Sequence, residues 1–160
     1  MCITDMLYED LIDLSVTATT EDELFNIIGD RLLQKGYVNE GYLTGIKERE
    51  EKYPTGLITQ YLNIALPHSD SEFIETPFIY IVRLTNPVLV KQMGDSQEMK
   101  VHDLFFLGIK DSTKQVNLLS QLMEMFMDKR FVTDYISYKN EFEVFELISD
   151  YIKKGAVNYG

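Results

Sequence analysis

Two stretches of the chain, residues 77–85 and 103–109, are almost unbroken runs of apolar side chains. A strand with one wet face alternates apolar and polar residues, whereas a run apolar at nearly every position must be covered on both sides. Two such strands dictate a sheet with helices above and below it, and the rest of the chain supplies helices. Thr20 and Glu23 form a capping box ahead of Leu24, Ile27, Ile28 and Leu32 at helical spacing, and Gly36 closes that helix. The spacing predicts a second helix over 39–53, stopped by Pro54. A third is expected over 113–128, with Val116, Leu119, Met123 and Phe126 on one side and Ser112-Thr113 as a possible cap. Two more are expected over 131–138 and 140–153, with Asn140 and Glu143 at the N-cap and N3 positions of the last. Residues 64–66 read as a short strand ending on Pro67-His68, and 10–16 as an edge strand. Residues 54–63 and 93–100 read as turns. Strands and helices alternate without repeat or linker, which predicts an α/β single-domain sandwich over residues 1–160, its mixed sheet flanked by helices on both faces.

A net charge of −11, from 26 acidic against 15 basic residues, argues against a nucleic-acid partner. The acids are scattered, as on a solvated surface that can steer a basic protein partner. No apolar run approaches the roughly 18 residues of a membrane span. The N-terminus also lacks a cationic start, so a cytoplasmic chain without membrane insertion is expected. The single cysteine, Cys2, leaves no internal disulfide and no cysteine-cluster metal site. There is no glycine-rich phosphate loop, GxSxG elbow, HExxH or EF-hand spacing.

The chain has two histidines, His68 and His102. His68 follows Pro67 at the end of a strand, where α/β folds commonly expose binding groups above a rigid sheet. A neutral imidazole there can attack phosphorus and pass the group on through a labile N–P bond, or it can be a structural histidine. His102, in Lys-Val-His-Asp, reads as an edge or turn residue. Tyr42, Ile46, Arg49 and Tyr53 fall on one helical stripe, which turns Arg49 toward the protein. There it matches either a phosphoryl group or a carboxylate of a structural ion pair.

Residues 45–56, Gly-Ile-Lys-Glu-Arg-Glu-Glu-Lys-Tyr-Pro-Thr-Gly, followed by Asn-Ile-Ala-Leu-Pro-His at 63–68, resemble the IIA domains of the fructose/mannitol family of the bacterial phosphotransferase system. That family carries an Arg-Glu pair, a Thr-Gly turn and an apolar-Ala-apolar-Pro-His ending. The resemblance implies that His68 receives phosphate from the phosphocarrier protein HPr and donates it to a cysteine of a IIB component, with membrane component IIC reached only indirectly. Arg49 would support the phosphoryl group electrostatically, and no cofactor or metal is implied. The stretch 57–62 is longer than in fructose- and mannitol-type members. Gln115 falls at or next to the position of a second histidine in mannitol-type members and can hydrogen-bond the site without carrying charge. Both departures look more like galactitol-type IIA proteins, so a galactitol-like polyol is the favoured sugar. The alternatives are a nitrogen-type regulator whose His68 phosphorylation controls partner binding, and a non-catalytic interaction module. Leu57, Ile58, Tyr61 and Phe73 are candidates for a transient partner surface or for ordinary core.

Overall fold

In a computed structural model the described residues are 3–159, so Cys2 lies outside them. The elements in chain order are β1 (Leu7–Val16), α1 (Glu21–Gln34), α2 (Tyr42–Lys52), β2 (Gly56–Ile58), β3 (Asn63–Ala65), β4 (Phe78–Lys91), β5 (Glu98–Gly108), α3 (Gln115–Phe126), α4 (Lys129–Ser137) and α5 (Glu141–Tyr159). The strands form one mixed sheet in the order β1-β4-β5-β3-β2. β1 runs parallel to β4 and β3 parallel to β5; the β4–β5 and β2–β3 pairs are antiparallel.

The central hairpin is covered on both sides, as its composition requires. Phe78, Tyr80, Val82, Leu104 and Phe106 enter one core with Leu24, Phe25 and Ile28 of α1 and Tyr42 and Ile46 of α2. Their neighbours Ile79, Ile81, Phe105 and Leu107 enter a second core with Leu118, Leu122 and Met125 of α3, Tyr135 of α4 and Val144 and Ile148 of α5. This is the expected α/β sandwich. Thr20 caps α1 by accepting from the Glu23 N–H, and the Glu23 carboxylate reaches back to the N–H and hydroxyl of Thr19, one residue outside a standard capping box. Gly36 follows that helix with φ of +83°, a left-handed conformation that glycine adopts without strain. Asn140 accepts from the N–H groups of Phe142 and Glu143 at the start of α5.

Four expectations are corrected. β4 and β5 extend well past the apolar runs, because beyond Thr85 and before Asp103 the hairpin buries only alternate residues, Val88, Val90, Met99 and Val101. Residues 54–63 are not all turn: Gly56–Ile58 pairs with Asn63–Ala65, and the tip is closed by Thr59, whose N–H and hydroxyl both donate to the Leu62 carbonyl. The buried face of α3 is Leu118, Leu122, Met125 and Phe126, whereas Val116 is 75% exposed. Thr113 bonds the Asp111 carboxylate in a 3-10 turn ahead of α3 rather than capping that helix.

One buried polar cluster anchors the sheet to α4. Arg83 of β4 donates to Asp103 of β5 at 3.3 Å and to the carbonyls of Tyr135 and Tyr138 at 2.7 and 2.6 Å, while the Tyr135 hydroxyl donates to Asp103 at 2.9 Å. Asp103 is also the residue of β5 that pairs with Ile64 of β3, four positions before His68. Replacing Arg83 by Met should lower the unfolding free energy in urea by about 3–5 kcal/mol, because a buried carboxylate loses its partner; a change of less than about 1 kcal/mol would show that the cluster is not structural.

Candidate functional site

The three-residue strand β3 delivers Leu66-Pro67-His68 onto the sheet edge. Pro67 has no N–H to give, but its carbonyl accepts from the Leu107 N–H at 2.9 Å, and His68 forms an isolated parallel bridge with Leu107. The chain is thus held against β5 up to the histidine itself. His68 is buried, 6% exposed. Its Nδ1 lies 2.8 Å from the Leu66 carbonyl. A carbonyl only accepts, so Nδ1 carries the proton and the Nε2 lone pair acts as an acceptor. The side-chain N–H of Gln115, the first residue of α3, donates to it at 3.4 Å. Helix starts leave N–H groups unpaired and favour anions, so Nε2 opens onto a surrounding suited to an incoming negative group.

Burial lowers the His68 pKa below the ordinary 6.5. The bond to the Leu66 carbonyl opposes that shift, the Arg49 charge adds to it, and the Asp70 charge opposes it. The sum favours a neutral imidazole, which is the nucleophilic form.

Arg49 lies in the last turn of α2 and is held by Asp70, two residues after His68, at 2.7 Å. Its guanidinium carbon stands 5.5 Å from the centre of the Tyr53 ring. Asp70 is largely exposed, and Arg49 Nε is buried without a hydrogen-bond partner. Arg49 thus has a carboxylate partner in Asp70, while its Nε stays buried without one.

His68, Arg49 and Gln115 are brought together as the sequence suggested. His102 is not: it lies five positions before Leu107 on β5, about 16 Å away along the strand, exposed and facing the Leu84 carbonyl at 3.3 Å. Of the partner-surface candidates, Ile58 is exposed, while Leu57, Tyr61 and Phe73 are half-buried against the two cores. Three residues near the site were given no role by the sequence, although Glu50 and Thr55 lie in its Arg-Glu and Thr-Gly elements. Asp70 lies in the polar stretch after His68, where no spacing marked it as the partner of Arg49. Glu50 and Thr55 are both buried, and Thr55 donates to Glu50 through its N–H and its hydroxyl at 2.9 Å each. The signal for Glu50 was present, because Tyr42, Ile46 and Glu50 are spaced by four. Burial pushes the Glu50 pKa up to about 7 against the lowering effect of the Thr55 bonds and the Arg49 charge.

Residues 5–151 match the family model described as "Phosphoenolpyruvate-dependent sugar phosphotransferase system, EIIA 2". Over 104 residues the chain is 28% identical to the galactitol-specific EIIA component of Escherichia coli (strain K12), covering 65% of this chain and 69% of that one. Among solved structures it is similar to the nitrogen regulatory protein IIA-Ntr of Neisseria meningitidis, with a TM-score of 0.74 and 21% identity over 91% of this chain and 97% of that one. It is also similar to a chain of a complex of enzyme IIAMTL and phosphorylated enzyme IIBMTL from Escherichia coli, with a TM-score of 0.69 and 20% identity over 88% and 95%. At these identities the two structures speak for the fold alone. Among the described residues no helix is long and apolar enough to cross a membrane.

The electrostatics predict opposite responses to two substitutions. Arg49→Gln should raise the His68 pKa and Asp70→Asn should lower it, read from the imidazole signals in an NMR titration. Shifts of the same sign in both variants would contradict the assigned charges.

Proposed function

Because the chain belongs to the EIIA type 2 family of the phosphoenolpyruvate-dependent sugar phosphotransferase system, and so is a phosphotransferase component, we propose that its described body works as one such domain and that His68 is the phosphoryl carrier. The observation that carries this reading is the buried imidazole with Nδ1 committed to a backbone carbonyl and an unprotonated Nε2 whose only hydrogen bond among the described residues is a long one from Gln115.

In the forward step the Nε2 lone pair attacks the phosphorus of phospho-HPr. The new N–P bond forms as the donor's own N–P bond breaks, and the electron pair returns to the donor. Nδ1–H stays on the Leu66 carbonyl throughout, so the positive charge of the phosphorylated ring is partly compensated by that carbonyl. Arg49 turns from Asp70 toward the phosphoryl oxygens, where its fork suits a dianion. Gln115 donates to the same oxygens. In the second step a cysteine thiolate of the IIB component attacks phosphorus and His68 leaves with its electron pair. Positioning and charge compensation supply the catalysis, with no proton transfer at the reacting nitrogen.

Delivery to a IIB component is supported by the fold shared with the IIAMTL chain solved with phosphorylated IIBMTL. A galactitol-like polyol is the proposed sugar, supported by the galactitol-specific relative; the sugar itself would be handled by the membrane component. A cytoplasmic setting follows from these partners. The regulatory reading has the fold of IIA-Ntr behind it and uses the same histidine.

Incubation with phosphoenolpyruvate, the first enzyme of the system and HPr should add one phosphoryl group, seen by intact-protein mass spectrometry. His68→Ala should remove the label, and Arg49→Ala should slow its appearance by about a hundredfold. Labelling of the His68→Ala protein to the wild-type level would end this reading.

A further inference from the structure

We propose that Thr55 and Glu50 are positioning residues for His68, acting through the backbone of Leu66. The proposal rests on the phosphoryl-carrier reading for its consequence but on geometry for its content. Leu66 lies just beyond the β2–β3 ladder, whose last pair is Gly56 with Ala65. At the next position, where the strand partner would offer a carbonyl, the Leu66 N–H donates instead to the Thr55 hydroxyl oxygen at 3.2 Å. A backbone N–H can only donate, so the Thr55 oxygen accepts there and must give its own proton elsewhere. Glu50 takes it: the hydroxyl lies 2.9 and 3.0 Å from the two carboxylate oxygens, and the Thr55 N–H adds a third bond at 2.9 Å. With Glu50 ionised, each member of the chain has one direction, from the Leu66 N–H to the Thr55 oxygen and from the Thr55 hydroxyl to the carboxylate.

The second anchor is on the far side of the same short segment, where the Pro67 carbonyl accepts from the Leu107 N–H. These two anchors flank the Leu66 carbonyl, and it is this carbonyl that holds His68 Nδ1 at 2.8 Å. Selection of the Nδ1–H tautomer, which leaves Nε2 as nucleophile, therefore runs back through Leu66 and Thr55 to a carboxylate on α2. Gly56 keeps the arrangement close to the sheet. A Cβ there would meet the Lys91 carbonyl oxygen at 2.6 Å and the Met99 sulfur at 2.7 Å, so any side chain would push Thr55 away. Glu50 and Thr55 are each 4% exposed. Burying a carboxylate to orient one hydroxyl is costly, and packing alone does not require it.

The test uses the full-length protein with ¹⁵N-labelled histidine and three variants. Thr55→Val keeps the shape and removes the hydroxyl. Thr55→Ser keeps the hydroxyl. Glu50→Gln puts an amide donor against the Thr55 oxygen, in competition with the Leu66 N–H. Two quantities are read: the tautomer of His68 from its nitrogen shifts, and the initial rate of phosphorylation by phospho-HPr. Wild type and Thr55→Ser should show the Nδ1–H tautomer. Thr55→Val should show a mixture and react about tenfold more slowly, while Thr55→Ser stays within about twofold of wild type, the scale on which partners of a functional histidine act. Glu50→Gln should shift both quantities in the same direction as Thr55→Val, and it carries the test should Thr55→Val not fold. A wild-type tautomer and rate in folded Thr55→Val, or in Glu50→Gln where that variant stands in for it, would overturn the proposal and leave these residues a purely structural role. Failure of the wild type to accept phosphate would instead count against the carrier reading, with the tautomer measurement still deciding the positioning.

Discussion

The structure depends on the two-sided burial of the β4–β5 hairpin. Neither strand has a face that can meet water over its central residues, so α1 and α2 must cover one side and α3, α4 and α5 the other. That requirement also creates the site. With β4 occupying one side of β5, the other side is open to β3, and the short β3 strand is registered by Ile64 against Asp103 and Ala65 against Leu104. The chain then runs on beside β5, and His68 comes to rest at Leu107. The histidine is placed by hydrogen bonding to a central strand of the sheet.

Its neighbours come from separate layers. Arg49 belongs to α2 on one face of the sheet, while Gln115 opens α3, whose apolar side packs on the other face. The site therefore lies where the two layers meet around the end of β3. This suits a group that must accept a bulky, charged phosphoryl from one protein and give it to another. The imidazole itself is buried and fixed, and Arg49 is restrained chiefly by exposed Asp70. An exposed ion pair contributes little to stability, so an incoming phosphoryl can displace it at small cost.

Much of this was legible in the residues. The uninterrupted apolar runs imply a sandwich, and Pro67-His68 after a short strand marks the imidazole. What was not legible needed a three-dimensional partner. The outer halves of β4 and β5 were missed because the polar residues 93–100 read as turn, whereas Val88, Val90, Met99 and Val101 carry a half-buried alternation. On α3 several helical stripes are apolar, and only the sheet decides that Leu118, Leu122 and Met125 turn inward. On α2 two stripes share Tyr42 and Ile46. One continues to Arg49 and Tyr53, the other to Glu50; the helix ends at Lys52, so Tyr53 swings out to 57% exposure while Glu50 goes inside. The role of Thr55 depends on a bond to Leu66, eleven residues on, which no local pattern encodes.

The central claim is that phosphate is carried on Nε2 of His68 while Nδ1 keeps its proton on the Leu66 carbonyl. It is tested most directly by nitrogen–phosphorus coupling in the NMR spectrum of the phosphorylated, ¹⁵N-histidine-labelled protein. The account predicts one coupled histidine, His68, with the coupling on Nε2 and the proton on Nδ1. Phosphorus on Nδ1 of His68, or on either nitrogen of His102, would contradict it.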